Sequence, residues 1–245
     1  MFGKYFEEIS ANLISIVKGA GPKDGAAKKG AKKKEPAGRK EAGIDRTAVR
    51  DVLARMIPAS LKFEPVSLVD SGGYVPEGVD LVAYRECFPG LSGMMDGAVP
   101  VELAYGAFFL VENLNRTTLL EALVRVMNMK KLNLYTEHES SGQPIPAFVI
   151  CFDMAGSFEE MKEIIFNFYT NKNIDNQHEF DIIVVVNRGI IVKDWRQNRS
   201  FKAIVTGKDT MKWFFVLASE YLDVERGGDF DLRNYIRDEG KYEEY

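Results

Sequence analysis

The chain has 245 residues, of which 46% are hydrophobic and 28% charged, the balance of an ordinary soluble globular protein long enough to bury a core. Wholesale disorder, collagen-like repeats and membrane-spanning architecture are excluded, the last because no run of eighteen apolar residues occurs. A formal net charge of -4 excludes a polycation that coats nucleic acid by its overall charge.

The first segment, residues 1–18, carries Phe2, Phe6, Ile9, Leu13, Ile16 and Val17 at helical spacing, which predicts an amphipathic helix whose apolar face lies on its own domain or on a partner. It is no secretory signal, because Leu13 to Val17 is too short an apolar stretch and Glu7 and Glu8 stand where positive charge belongs. Residues 19–43 hold eight Lys or Arg against three acids and no large apolar side chain, so they read as a basic flexible linker. The remaining chain then carries about -9, and any contact with DNA or RNA falls to linker lysines such as Lys28, Lys29, Lys32, Lys33 and Lys34.

A second helix is expected from Asp45, as N-cap, to Pro58. Leu61 to Val69 and Gly78 to Tyr84 read as a hairpin or meander around Asp70-Ser71-Gly72-Gly73. Val101 to Val111 is apolar enough for a strand buried on both faces. A helix over Thr117 to Met129, a strand over Pro146 to Phe152 and a helix opening at Ser157 follow. Phe180 to Val186 and Gly189 to Trp195 form two strands joined through Asn187-Arg188, Phe201 to Val205 adds a third, and a helix runs from Asp209 to Tyr221. Residues 225–245 read as an acidic solvated tail. The alternation over residues 44–224 predicts one α/β domain with a mixed central sheet flanked by helices. Cys87 and Cys151 lie far apart with no Cys/His cluster, which points to reduced thiols and a cytoplasmic location. His138 and His178 have no second ligand at metal spacing and read as surface histidines, and Gly72, Gly73 and Gly189 as turn glycines.

The order of elements, with GVDLVAYRE, PVELAYGAFFLV, PAFVICFD and FDIIVVVNRGIIVKDW, resembles the restriction-endonuclease-like, or PD-(D/E)XK, nuclease superfamily, and more closely a bacterial domain family of unknown function within it. The resemblance implies a strand that supplies a metal-binding Asp and a following strand that supplies Glu and Lys two residues apart. Two carboxylates hold Mg²⁺ or Mn²⁺, which stabilises phosphate charge and acidifies the attacking water. Residues i and i+2 of a strand share a face, so the Lys orients that water beside the ion.

Laid on this pattern, Asp80 takes the metal-binding Asp, Glu102 the Glu that precedes the catalytic strand, Phe109 the catalytic Glu and Val111 the Lys. Asp45-Arg46 falls where relatives carry Arg-Glu, so that carboxylate is displaced as well. Phe109 and Val111 cannot bind metal or polarise water. The leading expectation is therefore a nuclease-like module without catalysis, retained for binding or interaction and able to contact nucleic acid. One alternative is a Mg- or Mn-dependent nuclease rebuilt from Asp80, Glu102 and Glu112. Another is a structural or assembly protein that recruits a protein partner through its N-terminal helix. No cofactor is implied unless the site is active. Asp80 is either a remnant metal ligand or one half of a buried ion pair. Glu102 has the alternative of a solvent-facing strand start. Glu112 lies one residue past Val111 and so on the opposite strand face. Lys193 or Lys202 is the remaining substitute for the missing lysine, against the alternative of a solvated strand end.

Overall fold

The computed structural model describes residues 2–19, 44–87, 90, 93, 95–133, 144–194, 196, 199–222 and 243–244. The expected linker from residue 20 onward, with Lys28, Lys29, Lys32, Lys33 and Lys34, lies outside the described residues, as do His138 and residues 225–242 of the expected tail.

Helices α1 (Phe2–Gly19) and α2 (Arg46–Leu53) precede the sheet. The Asp45 side chain accepts from Thr47 N and Ala48 N and so starts α2, as its position predicts. Strands β1 (Lys62–Glu64), β2 (Ser67–Val69), β3 (Leu81–Tyr84), β4 (Ala98–Pro100) and β5 (Ala104–Leu114) lead into α3 (Arg116–Met129). Asn115 closes a capping box with Thr118 at the head of α3. Then follow β6 (Ala147–Met154), α4 (Phe158–Asn171), β7 (Ile182–Val185), β8 (Gly189–Asp194), β9 (Ser200–Val205), α5 (Thr210–Leu222) and β10 (Glu243–Glu244).

Eight strands form one mixed sheet in the order β1-β3-β5-β6-β7-β8-β9-β10, and β2 pairs with β4 in a separate parallel ladder. The expected hairpin is thus realised between β1 and β3, antiparallel with Lys62 opposite Tyr84, while Ser67–Val69 leaves for the small sheet. The central strands β5, β6 and β7 run parallel. Their near-continuous apolar sequences are what a strand covered on both faces requires.

Side-chain alternation divides the core in two. Val82, Phe109, Val111 and Val149 face Leu123 and Val126 of α3 and Ile165 of α4. Leu81, Phe108, Phe148 and Val184 face α1, α2 and α5 through Leu13, Leu53 and Phe214. Each such aliphatic or aromatic side chain contributes roughly 1.5–3 kcal/mol when removed from water. Phe6, Ile9 and Leu13 are buried in this second core. Glu8 pairs with Arg55 at 3.0 Å and Phe6 packs on Phe215 at 5.4 Å, so α1 is tied to the helical turn Ala54–Met56 that follows α2 and to α5. Among the described residues no helix is long and apolar enough to cross a membrane.

Tertiary contact explains two local features. Asn187 adopts φ 60°, which asparagine tolerates, in the tight β7–β8 turn. At Gly189 a Cβ would come within 2.3 Å of Ile204 O and 2.8 Å of the Phe158 ring, so this glycine is fixed by the close approach of β9 and α4 and not by the turn alone.

A buried polar cluster occupies the end of the sheet where β6 and β7 begin. Lys130, just after α3, meets Asp181 at 2.7 Å, and Asp181 also accepts from Ala147 N at 2.7 Å. Lys193 of β8 lies 3.0 Å from Glu179, both almost wholly buried, and donates to Asn176 O. The expectation of a solvated strand end does not hold for Lys193, because its ammonium is drawn inward by a buried carboxylate. Among the described residues neither oxygen of Glu179 receives a hydrogen bond of good geometry, and burial pushes its carboxyl above the ordinary 4.5, with Lys193 opposing. The folded state therefore binds a proton at Glu179 more tightly than the unfolded chain does. Its contribution to stability is fully present below pH 4.5 and is lost as pH rises through the higher folded value. Urea unfolding of wild type and Glu179→Gln across this range is expected to show wild type losing stability relative to the variant as pH increases. Parallel pH profiles would contradict this account.

Candidate functional site

Asp80 stands immediately before β3, and its amide donates to Phe108 O of β5 at 3.0 Å. By strand alternation its side chain shares the face of Val82 and Tyr84, the face on which β5 places Phe109 and Val111. The spatial association of Asp80 with positions 109 and 111 follows from the register, in which Leu81 lies opposite Phe108.

The carboxylate is only 6% exposed, and each of its oxygens is engaged. Oδ1 meets Arg46 Nη2 at 2.8 Å. Oδ2 meets Arg125 Nη2 and accepts from Leu110 N at 2.8 Å. Charge-assisted bonds of this kind are roughly twice as strong as neutral ones, and a buried carboxylate without them would be expensive.

The two arginines come from different helices, Arg46 from α2 and Arg125 from α3. Arg46 opens α2 directly after the Asp45 cap. Arg125 borders the apolar face of α3, lies over the Phe109 ring at 5.3 Å and donates from Nε to Gly78 O at 2.9 Å. Gly78 has φ 83°, and a Cβ there would lie 2.8 Å from Arg125 Nε, so glycine is what lets the guanidinium pass over this turn. Sequence reasoning missed Arg125 and Gly78 and read Arg46 only as a departure. The available signal was a cation at the edge of the apolar face of α3, one turn from Ala122 and Met129.

Phe109 is fully buried and Val111 is 5% exposed. Glu112 is exposed, with the opposite alternation to Phe109 and Val111. Glu102 is exposed in the single helical turn Val101–Leu103. This turn precedes Ala104, which pairs with Tyr84 across a β-bulge, and Leu103 O accepts from Arg85 N. Glu102 therefore sits past the far end of β3, separated from Asp80 by four residues of strand, about 13 Å of rise. The fold does not bring Asp80 and Glu102 together. Among the described residues no three His, Cys, Asp or Glu side chains are grouped to hold a metal ion. The Asp80 donor set does not fit a divalent cation as arranged: its oxygens face guanidinium groups, and the positions beside it are hydrocarbon.

An open groove of about 590 Å³ between α3 and α4 reaches Arg125 and is lined by Leu120, Glu121, Val124, Arg125, Phe168 and Lys172. The Lys172 ammonium lies 4.5 Å over the Phe168 ring.

No family model matches the sequence, and no curated protein sequence matches it. Solved structures do. NucC from P. aeruginosa ATCC27853 and NucC from E. coli MS115-1, both in cAAA-bound form, superpose with a TM-score of 0.67 at 14% identity, covering 96% of this chain and 96% of each of theirs. The apo form of E. coli NucC gives a TM-score of 0.57 at 16% identity over 78% of this chain and 88% of that one. At such identity the likeness shows the fold alone, and that fold is restriction-endonuclease-like.

Proposed function

We propose that this chain is a nuclease-fold binding module that does not cleave phosphodiesters. The observation that carries the reading is the Asp80 carboxylate held by Arg46, Arg125 and the Leu110 amide, with buried Phe109 and Val111 on the same sheet face. Cleavage by this fold needs a cation beside the scissile phosphate and a lysine-like group on the attacking water. Here guanidinium groups take the place of the ion's charge, and neither strand position can activate water.

The rebuilt-nuclease reading needs Mg²⁺ or Mn²⁺ to draw in Asp80 together with Glu102 or Glu112, across the separation described above. The assembly reading needs α1 to offer a partner the face that Phe6, Ile9 and Leu13 already spend on the domain. Incubation of purified wild type and Asp80→Ala with plasmid, single-stranded DNA and RNA in Mg²⁺ or Mn²⁺ is expected to give no cleavage in either. Metal-dependent cleavage by wild type that Asp80→Ala abolishes would overturn the proposal.

A further inference from the structure

We infer that Arg46 and Arg125 form a metal-independent site for a phosphodiester of a nucleic-acid strand. This inference rests on the binding-module reading above and names its ligand. Two cations share one carboxylate, so the cluster keeps an excess of one positive charge. Because the guanidinium groups grip the two oxygens of a single carboxylate, one phosphate can be reached by both.

Donors remain for such a ligand. Guanidinium carries five N–H groups in a planar fork matched to phosphate oxygens. Among the described contacts Arg46 uses Nη2 alone, and Arg125 uses Nε and Nη2. The cluster is also open: the Arg46 side chain is 55% exposed and that of Arg125 is 29% exposed. Arg125 additionally lines the α3–α4 groove, where Lys172 adds a cation and Glu121 offsets it. A polyanionic strand suits this chain better than an isolated anion, because the eight basic residues between Lys23 and Lys40 lead in sequence directly to Arg46. In a metal nuclease the ion neutralises the phosphate next to the aspartate. Here the arginines supply that charge permanently, and Asp80 fixes where they point.

The roles of Asp80 in the two accounts have opposite signs, which makes the site testable. Binding of fluorescein-labelled single-stranded DNA, the same sequence in RNA and the DNA duplex is measured by anisotropy with the full chain in EDTA, between about 50 and 200 mM salt. Inorganic phosphate is titrated as competitor. Arg46→Gln is expected to weaken binding by roughly three- to tenfold and to lower the salt slope by about one. Arg46→Lys keeps the charge and is expected to retain most of the affinity. Asp80→Asn keeps an acceptor for Leu110 N while removing the negative charge, and is expected to tighten binding by a similar factor. Competition by inorganic phosphate at concentrations equal in phosphate to the strand would assign the site to a free anion and overturn the strand. Equal binding by wild type, Arg46→Gln and Asp80→Asn would place all contact outside the cluster and overturn it too, as would binding that is lost in EDTA and in Asp80→Asn. If circular dichroism shows Asp80→Asn unfolded, Arg46→Gln alone decides, its side chain being half exposed. Failure here without metal-dependent cleavage leaves the non-catalytic reading standing. Cleavage with Mg²⁺ removes that reading whatever the anisotropy shows.

Discussion

Replacing Asp80 by alanine is expected to lower the stability of the folded chain by about 2–4 kcal/mol in urea unfolding performed in EDTA. The change leaves Leu110 N–H without its acceptor and Arg125 without the carboxylate that holds it over Phe109. Arg46 adds little to the figure, since its side chain is more than half exposed and a salt bridge of that kind is worth at most about 1 kcal/mol. A carboxylate kept for a metal behaves oppositely, because without its ion it is a buried charge whose removal relieves the protein. Alanine at position 80 that leaves the urea midpoint unchanged, or raises it, would mean that Asp80 is not the structural anchor of this cluster. Asp80→Asn is expected to cost less than alanine, because its side-chain oxygen still accepts from Leu110.

Lys130→Met is expected to have the larger effect, about 3–5 kcal/mol. Lys130 and Asp181 are 0% and 2% exposed at the side chain and 2.7 Å apart. Burial pushes the Lys130 ammonium below its ordinary value, and Asp181 opposes that shift. Methionine fills the space of the lysine stem but strands a carboxylate in the core, bound among the described residues only to Ala147 N. Lys130→Met combined with Asp181→Asn removes both charges and retains an acceptor for that amide, so most of the loss should return. A single-variant cost under about 1 kcal/mol in urea unfolding would show that the pair holds little against its own desolvation. This cluster ties the end of α3 to the start of β7, and α3 carries Arg125 to Asp80.

The elements were legible because their signals are local. Asp45 as a cap, the helical period of Phe6, Ile9 and Leu13, and the apolar runs of β5 to β7 all act within a few residues of sequence. The break between Glu64 and Ser67 was less so. Pairing of Ser67–Val69 with Ala98–Pro100 joins segments far apart in the chain, and turn composition around Asp70 carries no information about it. Similarly, Lys193 looks like a strand-end lysine until β7 and the turn before it place Glu179 beside it. At the candidate site, Asp80, Phe109 and Val111 were singled out by the resemblance to the nuclease pattern, and strand alternation puts their side chains on one sheet face. Arg125 could not, being 45 residues from Asp80 and recognisable only once α3 lies across β3 and β5.

Side-chain chemistry along the chain was enough to name an α/β fold with a mixed sheet, and to show that positions 109 and 111, on one face of β5, carry a phenyl and an isopropyl group. Side-chain chemistry and strand periodicity suffice for both, since neither depends on distant residues. What surrounds Asp80 depends on the packing of segments far apart in the chain. A buried carboxylate must be compensated, and whether by a cation, a lysine or two arginines depends on which helices cross its strand. Here α2 brings Arg46 and α3 brings Arg125 to the same pair of oxygens.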